Sequence, residues 1–195
     1  SCFFTYYNYP YYIDHMTALG YVKDVDWIEE LITVPTDEKI IRRWEKLSDF
    51  VLKRNHLHIV EPKNRLAYLP LLKPFFDLVN VAYAPLYGTV DLTEQQIRKY
   101  STKFAPLINP NTTCFVMDKN DRMIAFGVGA PSLAVAMQKH RGRLFPTGWI
   151  DVLKAFRKND TVDLLLIAVH PDYQARGVNA IILSKTMKGC LKMGI

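Results

Sequence analysis

The chain has 195 residues, a length that suits one domain or one domain with part of another. Hydrophobic residues make up 49% and charged residues 23%, which excludes a disordered tail, a collagen and a disulfide-framed mini-protein. The net charge is +6, and residues 66–195 carry sixteen basic and nine acidic side chains. A basic body can attract nucleic acid, an anionic membrane or a phosphorylated cofactor, although solvated helix faces give the same composition.

Three cysteines, Cys2, Cys114 and Cys190, lie far apart in the sequence. No Cys-x-x-Cys pair is present, so the sequence predicts no metal site. The odd, sparse count fits a reducing compartment, and we expect a cytoplasmic protein. The longest apolar stretches are much shorter than the roughly 20 residues of a membrane helix. Because the chain starts at Ser1 and stops within a helical pattern, we expect a piece of a longer protein.

The first 55 residues predict two helices separated by an extended segment. In chain order these are a helix that starts at Asn8–Pro10 and ends at Gly20, an extended segment over residues 21–34, and an amphipathic helix over residues 37–54 that Thr36 caps. Charge and pattern both change at Pro35 and Thr36, which makes this the predicted domain boundary.

The rest of the chain alternates strands and helices. It predicts a strand at 57–60, helices at 69–84 and 93–103, strands at 112–117 and 123–129, helical or irregular segments at 131–140 and 148–156, a strand at 162–169 and a helix at 179–193. Turn residues Asp118–Asp121 make the middle strands a hairpin. The apolar run Val162–Val169 predicts a central strand covered on both faces. The predicted fold class is α/β (α+β), with a mixed sheet flanked by helices.

A strand-to-helix junction carries the most chemistry. The buried strand ends at Val169, a turn contains Pro171, and Gly177 lies where the last helix begins. The first amides of a helix lack internal partners and sit at its positive end, so such a junction can bind phosphate. Gln174 and Arg176 can add donors. An ordinary strand-to-helix turn would show the same residues.

The longer pattern is more specific. Val169-x-Pro171-x-Tyr173-Gln174-x-x-Gly177 resembles the acetyl-coenzyme-A motif of the GNAT N-acetyltransferase superfamily, which runs [Arg/Gln]-x-x-Gly-x-[Gly/Ala] after a strand with Val-x-Pro. Gln174 and Gly177 match that motif. Asn179 stands where Gly or Ala is usual, so its side chain either crowds the pyrophosphate or donates to it.

The order of the predicted elements over residues 56–195 also resembles this family, with a longer link at about 131–160. The resemblance implies a GNAT-like acyl-CoA-binding domain, incomplete at its C-terminus, that stops after the pyrophosphate-binding helix. It implies coenzyme A contacts at Ile167, Val169, Gln174, Ala175, Arg176, Gly177, Val178 and Asn179.

The implied reaction transfers an acetyl or other acyl group from acyl-CoA to an amine by direct attack. A backbone amide near Ile167–Val169 would polarise the acyl carbonyl, and splaying of this strand from its neighbour would admit the pantetheine. Asp163 and His170 are the nearest candidates for the proton transfer, and a capping carboxylate and a turn histidine are their ordinary roles. Tyr83 and Tyr87 lie where the family often lines its acceptor site, or are core or surface aromatics.

The N-terminal segment resembles a different part of the same family. Asn8-x-Pro10-Tyr11-Tyr12, followed by Gly20-Tyr21, is similar to the closing segment that often carries a general-acid tyrosine. Residues 1–35 are therefore the tail of a preceding GNAT-like unit, a permuted or swapped element, or a plain tyrosine-rich helix. Residues 36–55 would be the connecting helix.

Three functions follow from these patterns. The leading hypothesis is an N-acetyltransferase that binds coenzyme A and an amine acceptor, with neither nucleic acid nor membrane as a partner. The second is a degenerate GNAT-like domain that binds a ligand or a protein without catalysis. The third, a nucleic-acid-binding module, rests on the net charge alone, since no helix-turn-helix, zinc or RNP-type motif is present. The sequence leaves open whether the chain forms homo-oligomers.

Overall fold

A computed structural model describes residues 8–62, 65–104 and 108–195, so Cys2 and the first seven residues of the 1–35 segment lie outside it. Within these ranges the fold mixes helices and strands. The helices are α1 (Tyr11–Ala18), α2 (Glu38–Arg54), α3 (Leu69–Tyr83), α4 (Glu94–Phe104), α5 (Ala134–Lys139), α6 (Gly148–Arg157) and α7 (Asn179–Met193), and the strands are β1 (His58–Val60), β2 (Thr113–Met117), β3 (Met123–Pro131) and β4 (Val162–Val169). The predicted bounds of β4 and α7 are confirmed.

The four strands form one sheet in the order β1-β2-β3-β4, and every pair is antiparallel. The predicted hairpin is confirmed, because Phe115 on β2 lies opposite Phe126 on β3. Its turn is closed by Asp118, whose Oδ1 accepts from the amides of Asn120 at 2.8 Å and Arg122 at 3.0 Å. Short polar side chains favour such turns because they satisfy nearby backbone donors.

The prediction that β4 is the central strand of a mixed or parallel sheet is wrong. β4 pairs with β3 on one side and, within the described residues, with no strand on the other. Its apolar run has another cause. Leu166 and Ala168 contribute to the core on one face of the sheet, while Ile167 and Val169 pack on the other. The predicted burial on both faces is incomplete, because Leu164 is exposed. An edge strand with apolar contacts on both faces gives a sequence pattern similar to that of a central one.

Helices cover both faces of the sheet. Phe75 and Phe76 of α3 pack against Phe126, with α4 on the same side. On the opposite face, Ile181 and Ile182 of α7 pack against β2 and β3 together with α2. A fully buried side chain of this size contributes about 1.5–3 kcal/mol. Gly127 permits the close approach of α7, because a Cβ there would overlap the Ile182 side chain.

The cap of α2 lies one residue later than predicted. Asp37, and not Thr36, is the cap: its backbone is extended and its side chain accepts from the amide of Lys39 at 2.8 Å. Aspartate is at least as good as threonine at this position, and its charge also suits the positive end of the helix. The predicted helix is otherwise confirmed.

The chain divides into two compact units. The smaller unit combines residues 8–33 with Ser132–Phe156, and the sheet unit combines Val34–Pro131 with Arg157–Ile195. In the smaller unit, α1 buries no residue, and residues 21–33, predicted as extended, form no helix or strand. None of the helices in the described ranges is both long and apolar enough to cross a membrane.

Candidate functional site

The loop between β4 and α7 has an unusual backbone. A short 3-10 helix spans Pro171–Tyr173, and Ala175 and Gly177 then adopt positive φ angles of 57° and 79°. Glycine tolerates this region freely, whereas alanine is strained there. The loop therefore turns sharply twice before α7 begins at Asn179.

This geometry leaves a run of backbone donors without partners. In the part of the chain that the structure describes, the amides from Ala175 to Asn179 donate to no backbone or side-chain acceptor. By contrast, the amide of Gln174 donates to Pro171 O at 3.2 Å and that of Ala180 donates to Gly177 O at 2.9 Å. Successive free amides at a helix start form a concave anion site.

A groove of about 330 Å³ lies at this loop. It is lined by Val169, Tyr173, Gln174, Ala175, Gly177, Val178 and Asn179. Six of the eight residues predicted to contact coenzyme A thus line one depression, whereas Ile167 and Arg176 do not. Asn179, the departure from the family motif, faces the same space.

Gly177 is constrained by the Val51 side chain beneath it as well as by its φ angle. A Cβ at this position would lie 3.3 Å from Val51 Cγ2 of α2. A side chain larger than hydrogen would therefore strain the loop and crowd α2. The matched glycine of the motif is accounted for by this geometry.

Arg176 and Tyr173 tie the loop to the hairpin turn. The Arg176 guanidinium lies 5.1 Å from the centre of the Tyr173 ring, in a cation–π contact. Tyr173 Oη donates to Asp118 Oδ2 at 3.3 Å. Partial burial and the Asp118 charge raise the pKa of Tyr173, so the phenol keeps its proton at neutral pH. Arg176, predicted as a donor to coenzyme A, is thus directed toward Tyr173.

His170 makes a second set of contacts between the β4–α7 loop and the hairpin. It is buried, and its amide donates to Ile124 O at 2.8 Å. Arg122 Nη2 lies 2.5 Å from His170 Nε2. Because a guanidinium only donates, Nε2 accepts in this contact. The Nδ1 atom faces Asp172, with Oδ2 at 3.5 Å. The predicted proton-transfer residue is therefore engaged on both ring nitrogens.

Asp163 lies at the far end of β4. It pairs opposite Ala130, six residues before Val169. At about 3.3 Å per residue the carboxylate is roughly 20 Å from the loop along the strand, and roughly 13 Å from Ile167. The structure does not bring Asp163 and His170 together.

The two predicted acceptor-site tyrosines differ. Tyr83, the last residue of α3, reaches β4: its Oη donates to Ile167 O at 2.9 Å and accepts from Ile167 N at 3.2 Å. Burial raises the pKa of Tyr83, so this phenol also stays protonated at neutral pH. Tyr87 is exposed in the segment after α3. Of this pair, only Tyr83 is brought to a residue of the predicted coenzyme A site.

Sequence reasoning missed Asp118 and Arg122 as parts of the site. The sequence assigns Asp118 to a turn, but its second carboxylate oxygen, Oδ2, also accepts a hydrogen bond from the Tyr173 phenol. Burial opposes the charge of Asp118, but the amides of Arg122 and Asn120 outweigh it and lower the pKa of this carboxyl. Tyr173 of the motif could have indicated such a residue, because the hydroxyl of a partly buried tyrosine usually finds a hydrogen-bond partner. Among the described residues, no cluster of His, Cys, Asp or Glu is arranged to hold a metal ion.

Comparison with known proteins gives little identification. No protein-family model matches the chain. It is 25% identical over 179 residues to "Protein YghO" of Escherichia coli (strain K12). That match covers 89% of this chain and 44% of the relative, so the chain spans less than half of the relative's length.

Proposed function

We propose that this chain is the acyl-CoA-binding part of a GNAT-like N-acyltransferase, which moves an acetyl or other acyl group onto an amine. One observation carries the proposal: the run of free amides from Ala175 to Asn179, beside a groove at the end of a strand. Two linked phosphates need several convergent donors. A helix start supplies them without committing many side chains.

The order of elements supports the same proposal. A short strand, two helices, a hairpin, a strand and the helix after the motif follow in the order that the resemblance implies. The pantetheine would lie along the outer edge of β4 beside the loop. The likeness of fold and the loop geometry are independent, because element order does not fix the φ angles of Ala175 and Gly177.

In the proposed reaction, the Ile167 amide donates to the acyl oxygen while the amine attacks the thioester carbon. Such a backbone donor stabilises the charge that develops on that oxygen. Neither His170 nor Asp163 is assigned as the general base, since His170 is engaged by Arg122 and Asp163 lies at the far end of β4. A general base must reach the proton within hydrogen-bond distance. We place the reaction in the cytoplasm, consistent with the buried free thiols of Cys114 and Cys190.

A second candidate is a GNAT-like domain that binds a ligand or a protein without catalysis. Asn179 favours it, because its side chain lines the groove at a position where the family has Gly or Ala. The engagement of His170 favours it as well. This candidate keeps the anion site and gives up acyl transfer.

Calorimetry with acetyl-CoA tests the proposal, using the chain itself and its Gly177→Val and Gly177→Glu variants. We expect wild type to bind and both variants to lose binding, since a side chain blocks the amides and glutamate also repels the phosphates. Gly142→Val is the matched control, because Gly142 has a φ of 77° with open space around it. It should fold with a similar strain and still bind.

Asn179→Gly distinguishes the two effects that asparagine can have at the position where the family motif has Gly or Ala. Binding should be kept or tightened if asparagine only crowds the pyrophosphate, and weakened if its amide donates. If folded wild type binds no acetyl-CoA at millimolar concentration, the acyltransferase proposal is wrong. Binding without acyl transfer to a panel of amines would instead support the non-catalytic candidate.

A further inference from the structure

The outer edge of β4 is covered by two side chains at the point where it approaches the loop. Ile167 exchanges two hydrogen bonds with the Tyr83 phenol, and Val169 O accepts from Gln174 Nε2 at 3.2 Å. Ile167 and Val169 are two residues apart, so their backbone groups point to the same side of the strand. These are the groups that an extended ligand along this edge would use.

Tyr83 is held in this position by the core. It is the last residue of α3, and its partly buried ring packs against the cluster formed by α3 and the sheet. By contrast, Tyr21 of the smaller unit is 62% exposed and belongs to neither core cluster. The phenol therefore meets Ile167 as a result of how α3 packs on the sheet.

We infer that Tyr83 is a specificity residue, because its phenol competes with the acyl oxygen of an acyl-CoA for the Ile167 amide. This inference rests on the proposed function. A single N–H serves one acceptor well, so the phenol must leave before an acyl oxygen can bind there. Free coenzyme A ends in a thiol and has no acyl oxygen, so it leaves the Tyr83 contact in place.

The hydrogen bonds lost and gained on binding predict which of the two ligands Tyr83 disfavours. Binding an acyl oxygen breaks the bond from Ile167 N to Tyr83 Oη and the bond from that phenol to Ile167 O, and forms one bond from Ile167 N to the ligand. Tyr83 thereby lowers the affinity for acyl-CoA relative to coenzyme A. Without the phenol, Ile167 is solvated and the acyl oxygen displaces only water.

Tyr83→Phe tests this, because it removes one oxygen and keeps the packed ring. Calorimetry with acetyl-CoA and with coenzyme A gives the two affinities separately. We expect acetyl-CoA to bind about two- to tenfold more tightly, the size of one net hydrogen bond, and coenzyme A to bind as in wild type. Tyr68→Phe, the same change at a core tyrosine outside the predicted site, should alter neither affinity.

An unchanged ratio of the two affinities in Tyr83→Phe would overturn the inference, and so would equal weakening of both ligands, which indicates a structural role. If wild type binds neither ligand, the proposed function itself fails, which is a different result. A measurement on wild type avoids reliance on the variant. In ¹⁵N-isoleucine-labelled protein, the Ile167 amide resonance, identified by its loss in Ile167→Val, should move with acetyl-CoA and stay with coenzyme A. Equal shifts with both ligands contradict the competition.

Discussion

The two compact units of this chain use apolar residues in opposite ways. In the sheet unit, Phe126, Ile124, Ile181 and Ile182 are fully buried between helices and sheet. In the smaller unit, Val22 and Leu31 are each 90% exposed, and Ile28 is 83% exposed. Both units contain many large apolar side chains. A strand surface with helices on it gives such side chains somewhere to pack, and residues 21–33 form neither helix nor strand.

The smaller unit is organised mainly by polar contacts. Asp151 of α6 accepts from Lys139 at 2.7 Å, from His140 at 2.7 Å and from Lys154 at 3.4 Å. These hydrogen bonds and charges hold the pKa of Asp151 well below its usual range. Trp149 Nε1 donates to Pro146 O at 3.0 Å, while its ring remains 45% exposed. Apolar content by itself therefore does not make a core.

Steric changes at glycine should separate the two units. A Cβ at Gly189 of α7 would overlap the backbone oxygen of Asn111. Because a backbone atom cannot rotate away, Gly189→Ala should destabilise the sheet unit by about 3 kcal/mol or more. Gly142→Ala, in the open space of the smaller unit, should cost about 1–2 kcal/mol through its φ angle alone. Urea unfolding measures both, and equal losses would contradict the comparison.

Side-chain truncation should give the largest contrast between the two units. Phe126→Ala opens a cavity between α3 and the sheet and should cost about 3–5 kcal/mol. Leu31→Ala removes an exposed side chain and should stay within about 0.5 kcal/mol of wild type. Chemical unfolding of each variant is the measurement. A loss above 2 kcal/mol for Leu31→Ala would show that this side chain is buried in solution.

Acidification should weaken both units through two carboxylates. The pKa values of Asp118 and Asp151 are lower in the folded protein than the ordinary value of 3.8. The unfolded chain then binds more protons, so their stabilisation is present above that value and is lost as the pH falls through the folded pKa values. Thermal unfolding from roughly pH 5 down to pH 3 should show a smaller pH-dependent loss in Asp118→Asn than in wild type. An identical pH dependence of stability in wild type and variant would show that the Asp118 carboxylate does not contribute.

Thiol accessibility should give the smallest effect. Cys114 is fully buried on β2, and burial raises its pKa to about 12. Native Cys114 should therefore resist alkylation at neutral pH, and denaturant should release it. Mass spectrometry of iodoacetamide-treated protein, with and without urea, reads this directly. Rapid native labelling of Cys114 would contradict the burial of β2.

Local sequence patterns settled most of the elements. The bounds of β4 and α7 follow from an apolar run and from helical spacing, and the hairpin follows from the turn residues at Asp118–Asp121. The conformation of Gly177 is also a local property, since a glycine before a helix start permits positive φ. Even the cap of α2 was placed within one residue.

Tertiary structure decided what those elements do. Whether β4 is a central or an edge strand depends on pairing partners, which an apolar run does not encode. The contact of Arg122 with His170 joins residues 48 apart, and that of Tyr83 with Ile167 joins residues 84 apart. The first contact forms when β3 pairs with β4, and the second forms when α3 packs on the sheet. The side-chain period specifies a face of an element but not the neighbour that covers it. The sequence by itself thus indicated this loop as a candidate anion site, and packing decided which side chains contact the loop and the outer edge of β4.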